Sequence, residues 1–342
     1  MYRFQEKLDR IRSGEYRPGD FIIADARDPD IAFGIPSTGP ARQKDGTSTR
    51  FRTRAEFIEM AQAIVEQDAV DIMLTSTSTM ERMVECGTYR TSTIKPAIRA
   101  NDATDIWSMR GAVYSTKPSR PFRSTNLSRA MWGSATPKLG EPIVGTDLGL
   151  YSLTFNNDID ADIASLEAFA DFRAEAAALG FSYFLEVFNP NVPTGIAPEI
   201  LPHYINDCIQ RCLAGLTSAE RPLFLKVAYN GPKALEEMIS YDPSLVIGVL
   251  GGAAGTTRDC FELIAQAERY GARVALFGRK INFAESPLAM VSYMRVVADG
   301  KLAPAEAVKA YHDTLQKDQI KPYRDLAADN EITDATLKLR ER

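Results

Sequence analysis

Lys226 sits inside the segment RPLFLKVAYNG, residues 221–231, where apolar residues surround it on both sides. An amine so placed must lead its charge out to solvent along an apolar stem, pair with a carboxylate, or act chemically. Burial disfavours the charged form of an amine. A neutral amine attacks a carbonyl carbon and closes to an imine. Once protonated, the imine withdraws electrons, so the neighbouring C–C bond can break or form. Glu186, in the apolar run FSYFLEVF at 181–188, is the natural acid/base partner. By the period of two it shares a strand face with Phe184 and Phe188. A buried carboxylate is rarely left unpaired. Its alternative partner is a barrel arginine such as Arg99.

Two further carboxylates follow the first apolar run: Asp25 and, three residues on, Asp28. Either can take a proton from a substrate hydroxyl, and Asp25 can also pair with Lys226. Either can equally be a loop carboxylate bonded to nearby backbone N–H groups. Gly251-Gly252 and Gly278-Arg279 close two later runs. Glycine lets a backbone approach an anion closely, and arginine adds a charge-assisted donor. The alternative is a pair of tight turns with a surface arginine. The acids Asp158, Asp160 and Asp162, with Asn156 and Asn157, alternate as in a hard-metal loop. They lack the twelve-residue calcium-loop pattern, and capping of the following helix is the preferred reading.

Positioning these groups requires strands. Eight short apolar runs recur, at 21–26, 69–75, 93–100, 148–155, 181–188, 222–229, 245–252 and 272–278. Segments of helical period lie between many of them, including 54–67, 165–180, 232–241 and 256–271. Eight strand–helix alternations over most of the chain predict a (β/α)8 TIM barrel, whose catalytic groups gather at the C-terminal ends of the strands. No G-x-G-x-x-G follows the first run, which removes the usual dinucleotide argument for a doubly wound sheet. A single barrel domain is expected over residues 1–322, with a long insertion after strand three at about 104–141 and a peripheral tail at 323–342. Arg120 and Arg123, inside that insertion, can fold over a substrate anion or face water.

Composition narrows the function classes. The formal charge of -5 gives no electrostatic case for a nucleic-acid partner. No apolar run is long enough to span a bilayer, and the charged N-terminus does not read as a secretory signal. Two histidines and four cysteines without a C-x-x-C pair give no expectation of a metal site. The cysteines fit a reducing cytoplasm.

The order of these motifs carries a resemblance. LKVAYNG, the paired glycine after strand seven, the GARVALFGRKINF segment and SPLAMVSYMRVV resemble the class I aldolases of the archaeal fructose-bisphosphate, DhnA and DeoC/LacD-like type. The resemblance covers about 181–299 well and extends faintly back to Phe21. It implies a barrel lyase whose Schiff-base lysine falls on Lys226, with Asp25, Glu186 and Asp28 as the candidate acid/base groups. It further implies a phosphate cradle from Gly251, Gly252, Gly278 and Arg279, a small phosphorylated keto substrate, no metal or organic cofactor, and a homo-oligomer. The chain departs from the family in two places. Ala24-Asp25-Ala26-Arg27-Asp28 stands where Asp-His-Gly is common. Phe188 stands where a proton-transferring tyrosine is common, and a phenyl ring moves no proton. Two alternatives follow: a thiolase-like acyl transferase on a phosphorylated keto substrate, and a non-catalytic sugar-phosphate-binding barrel.

Overall fold

The computed structural model describes residues 2–251 and 255–339. Eight parallel strands close into one barrel: β1 (Ile22–Arg27), β2 (Ile72–Thr75), β3 (Lys95–Arg99), β4 (Leu148–Thr154), β5 (Ser182–Phe188), β6 (Leu225–Val227), β7 (Ile247–Leu250) and β8 (Val274–Phe277). Seven fall within their apolar runs, and β1 extends one residue past its run, to Arg27. The runs are nearly continuous rather than alternating because both faces of a barrel strand are buried. Ile22, Ala24, Ile72, Leu74, Ala97, Leu148, Leu150, Phe184, Phe224, Val274 and Leu276 fill the lumen. The intervening positions, such as Ile23, Met73, Ile98, Leu185 and Leu225, meet the helical layer. No described helix is long and apolar enough to cross a membrane.

The helices begin where local chemistry starts them. Thr53 and Glu56 form a reciprocal capping box at the start of Arg54–Gln67. The helix expected from residue 165 begins earlier, at Ile159, because Asp158 accepts a hydrogen bond from the Ala161 N–H. Asp160 and Asp162 then lie in the first turn, where carboxylates suit the helix dipole. The alternating acids are thus a helix start, as the capping reading has it.

The N-terminal helix α1 (Arg3–Arg12) closes the barrel floor. Phe4 and Leu8, one turn apart, enter the lumen cluster. Backbone and side-chain bonds tie α1 to Thr93, Phe21 and Leu223, all just before strands. Arg3, Lys7 and Arg295 converge on Asp71, which is fully buried. Burial alone would raise the Asp71 pKa, but Arg295, Lys7, the Ile23 N–H and Arg3 outweigh it and hold it below the usual carboxylate value. A depressed folded-state pKa gives stability that is present above the unfolded value and is lost as pH falls through the folded one. Asp71→Asn removes the shared partner of three cations, of which Arg3 keeps Asp68 and Arg295 keeps Asp299, and is expected to cost about 3–5 kcal/mol near neutrality. That penalty should shrink as both proteins are taken below the carboxylate range. Denaturant melts at several pH values check this; a penalty that does not change with pH would contradict it.

The expected insertion is present, and it leaves the barrel closed because β3 pairs directly with β4. It carries a two-residue antiparallel pairing, Asp102–Ala103 with Pro121–Phe122, and a short helix, Leu127–Trp132, that the sequence pattern did not indicate. Trp107 stacks on Tyr114 at 4.5 Å and leans on Phe122 at 5.3 Å. The insertion is bonded down across the barrel mouth, with the Ser108 N–H donating to the Ala32 carbonyl and Asn191 donating to the Ser115 carbonyl. The C-terminal tail is also tied down: Asp329 accepts from the Thr257 N–H, and the Thr333 N–H donates to Asp259.

Candidate active site

With α1 across the floor, the open mouth lies at the C-terminal ends of the strands. There the period of two turns four polar side chains into the lumen: Arg99 from β3, Ser152 from β4, Glu186 from β5 and Lys226 from β6. Ser152, Glu186 and Lys226 are successive register partners. Neighbouring strands lie about 4.8 Å apart, so these side chains must meet. Lys226 Nζ is 2.6 Å from Glu186 Oε1. The pair is almost sealed, with Lys226 7% and Glu186 1% exposed.

Arg99 organises the other side. Its Nη1 donates to Asp28 Oδ2 at 3.0 Å and lies 3.5 Å from Glu186 Oε2. Its Nη2 donates to Ser152 Oγ at 2.7 Å, and its Nε donates to the Asn101 carbonyl at 3.0 Å. Burial works against the guanidinium charge, but Asp28 and Glu186 outweigh it and hold the Arg99 pKa above its ordinary value. Asn101 locks the frame, accepting from the Ser152 N–H and donating to the Ser152 carbonyl. The result is a chain Asp28–Arg99–Glu186–Lys226 in which each charge has an opposite neighbour.

This chain forms the base of a cleft of about 340 Å³. Phe33 and Phe188 line its walls, and Asp105, Ile106 and Ser108 reach in from the insertion. Gly251, Gly278 and Arg279 line the far side. Both glycines are fixed by close approach: a Cβ at Gly278 would lie 2.3 Å from the Ala26 carbonyl oxygen, and one at Gly251 would lie 2.3 Å from Phe277 Cδ1. The Arg279 guanidinium lies 5.9 Å from the Phe33 ring centre. Gly252 lies outside the described residues. A larger recess of about 440 Å³ shares Arg279 and is lined by Lys280, Tyr323 and Arg324, but it lacks the lysine–carboxylate pair.

The sequence-selected groups therefore divide. Lys226, Glu186, Asp28, Gly251, Gly278 and Arg279 share one cleft. Asp25 does not join them. Ala24 lies in the lumen cluster, so the next position points outward. Asp25 is fully buried behind β1 and pairs with Arg27, which packs over the Phe57 ring. Burial raises the Asp25 pKa against the opposing pull of Arg27. The expectation that Asp25 stands at the mouth is corrected: of the two carboxylates expected after strand one, only Asp28 lines the cleft. Arg123 also lies elsewhere, paired with Glu175 at 2.6 Å, and Arg120 is exposed. Lys280 donates to the Gly255 carbonyl at 3.0 Å.

Sequence reasoning gave Arg99 only as a possible partner of Glu186 and missed Ser152 and Asp105. Arg99 carries the same signal as Lys226, a charge within an apolar run. Asp105 sits in the aperiodic insertion and is placed by long-range bonds from Thr154 Oγ1 at the end of β4 and from Ser119 Oγ.

No protein-family model matches the chain, and no curated protein sequence matches it. Solved structures do. An archaeal fructose 1,6-bisphosphate aldolase matches with a TM-score of 0.59 at 14% identity, over 87% of this chain and 99% of that one. An archaeal fructose-1,6-bisphosphate aldolase whose catalytic lysine is covalently bound to the carbinolamine intermediate matches with a TM-score of 0.58 at 14% identity, over 87% and 100%. Cgl0159 of Corynebacterium glutamicum matches with a TM-score of 0.54 at 18% identity, over 87% and 98%. At these identities the likeness is one of fold: the chain has a closed (β/α)8 barrel similar to those of the matched aldolase structures.

Proposed function

We propose that this barrel is a lysine Schiff-base, class I aldolase acting on a phosphorylated ketose or a related keto compound. The observation that carries the proposal is the Lys226–Glu186 pair, 2.6 Å apart at the C-terminal mouth. The fold it shares with Schiff-base aldolases supports the reading.

The chemistry follows from the groups present. Lys226 first passes a proton to its partner Glu186; the neutral amine then adds to the substrate carbonyl carbon, and a proton on the new ammonium moves to the alkoxide oxygen to give the carbinolamine. The resulting carbinolamine loses its hydroxyl as water, taking a proton back from Glu186, and becomes an iminium ion. A carboxylate, Glu186 or Asp28, then removes the proton from the hydroxyl one carbon beyond the neighbouring carbon. The C–C bond breaks, its electron pair moves into the iminium to give an enamine, and the hydroxyl carbon leaves as an aldehyde. Protonation of the enamine carbon restores the iminium, and water hydrolyses it to free the second product and Lys226. The iminium is the electron sink, so this route asks for no separate cofactor. In this reading the Arg279 guanidinium and the Gly278 turn anchor the phosphate; the Gly251 N–H is given to the Leu276 carbonyl at 2.7 Å, so Gly251 contributes close approach rather than a donor, and Gly252 lies outside the described residues.

Borohydride trapping tests the proposal. Incubation with a panel of keto phosphates followed by reduction is expected to add the reduced substrate to Lys226, read by peptide mass spectrometry. An adduct on Lys95, Lys233 or Lys280 would keep imine chemistry but displace its centre. Turnover of a keto substrate with no trappable adduct would refute the mechanism.

A further inference from the structure

One proton transfer in the imine route still lacks a carrier. Cleavage ends by placing a proton on the enamine carbon, the carbon next to the iminium, and condensation begins by removing one from it. Glu186 lies 2.6 Å from Lys226 Nζ and so serves the nitrogen. Asp28 is engaged with Arg99 at 3.0 Å. Among the described residues, the third carboxylate of the cleft lining is Asp105, from the insertion. Asp105 Oδ1 accepts from Ser119 Oγ at 2.9 Å and from the Ile106 N–H at 3.1 Å, and Oδ2 accepts from Thr154 Oγ1 at 2.5 Å. These donors are uncharged. Two carboxylate oxygens offer about four acceptor positions, so Asp105 keeps room for a substrate atom.

Strand register locates this carboxylate. Thr154 is the register partner of Phe188, as Ser152 is of Glu186. The level of Thr154 and Phe188 is therefore two residues nearer the mouth than that of Glu186 and Lys226, a rise of about 6–7 Å. With α1 across the floor, a substrate joined to Lys226 extends toward the mouth and passes this level. There β5 offers only the Phe188 ring, and Asp105, held at Thr154, stands beside it. The placement is firm. Asn156, just after β4, accepts from the Ser119 N–H at 2.9 Å and donates to Asn191 Oδ1 at 2.9 Å. Asn191, just after β5, donates to the Ser115 and Lys117 carbonyls at 2.8 and 2.7 Å. Ser119, Thr154 and Asn156 are all buried. The insertion is thus fastened to the ends of β4 and β5, and a reacting group gains from such support.

We infer that Asp105 is a further catalytic residue, the group that exchanges the proton on the carbon next to the Lys226 iminium. In the condensing direction its carboxylate takes that proton. The C–H bond breaks, its electron pair forms a C=C bond, and the C=N pair moves to nitrogen to give the neutral enamine. The proton then passes from Asp105 to water. Cleavage runs the same step backwards: water reloads the carboxyl group, which protonates the enamine carbon and restores the iminium. This inference rests on the imine reading and gives the insertion a part in it, since the acid/base group comes from outside the barrel strands.

The test follows hydrogen exchange at that carbon in D2O by NMR, with dihydroxyacetone phosphate and dihydroxyacetone as probes, alongside borohydride trapping on Lys226. Exchange needs no aldehyde partner and no change in a C–C bond, so it isolates the step. The wild-type chain is expected to trap and to exchange. Asp105→Asn should keep the adduct while exchange falls by about 10²–10⁴-fold, the usual cost of a lost acid/base group. Asp105→Glu, which keeps a carboxylate, should recover part of the rate. Should Asp105→Asn fold poorly, Thr154→Val decides. It removes the hydroxyl that seats Asp105, and exchange should fall at least about tenfold with the adduct kept, since a small misplacement of a reacting group costs up to about 10²-fold. Three results overturn the inference and leave the imine reading standing: exchange at the wild-type rate in the deciding variant, loss of its adduct, or a wild-type adduct with no exchange. No wild-type adduct with either probe overturns the imine reading and this inference together.

Discussion

Lys226→Met is expected to abolish both the borohydride adduct and turnover while leaving the barrel folded. Methionine is unbranched and of similar length, so it refills the apolar stem of the lysine without forcing its neighbours apart. What it removes is the nucleophile. Loss of a group that forms the covalent intermediate is expected to lower turnover by at least about 10⁴-fold, in line with nucleophile deletions elsewhere. The fold survives because Glu186 keeps Arg99 as a cationic neighbour at 3.5 Å and β6 keeps its outward anchors Leu225 and Val227. The penalty should therefore stay below the about 3–5 kcal/mol of a fully broken buried pair. Circular dichroism and a denaturant melt establish folding before the assay. A folded Lys226→Met protein that retains more than about a hundredth of the wild-type turnover would exceed what non-covalent effects can supply and would remove lysine from the mechanism.

The legibility of this site follows from barrel geometry. A strand buried on both faces reads as an unbroken apolar run, so the strands were visible as runs and the charges inside them stood out. Glu186 and Lys226 were found for that reason, and Arg99 stands out by the same rule. The same property hid the direction of Asp25. In FIIADA apolar residues occupy both parities, so the run alone does not say which face is the lumen. The answer comes from pairing, with Asp25 beside Phe277 on one strand and Met73 on the other. The floor was illegible for a different reason. Phe4, Leu8 and Ile11 form a short apolar stripe on α1, but what seats the helix, the gathering of Arg3 and Lys7 by Asp71, joins residues far apart in the chain and leaves no local pattern. Asp105 had no local signal at all, since an aperiodic insertion is placed by bonds to residues far along the chain.

Glu186→Gln is expected to separate imine formation from catalysis. Glutamine keeps the shape of Glu186 and its carbonyl oxygen can still accept from Lys226 Nζ, now 2.6 Å away from Oε1. It has no site that can take and return a proton. Phe188, on the same face one turn of the pleat further on, lines the cleft but cannot substitute. Removal of a general acid/base costs about 10²–10⁴-fold, so turnover should fall by that amount. The adduct on Lys226 should still form, more slowly, because addition and dehydration can draw protons from water. Single-turnover trapping and steady-state rates measured together give the split. Arg99 remains held by Asp28 and Ser152, so a loss of folding is not the expected cause. Glu186→Asp, which shortens the reach but keeps an ionisable group, should recover part of the rate and the carboxylate limb of the pH profile, whereas a purely structural Glu186 would be mimicked better by glutamine than by aspartate. If Glu186→Gln turns over at the wild-type rate and Asp28→Asn does not, the proton-moving group is Asp28, and Glu186 serves only to hold the lysine in the lumen.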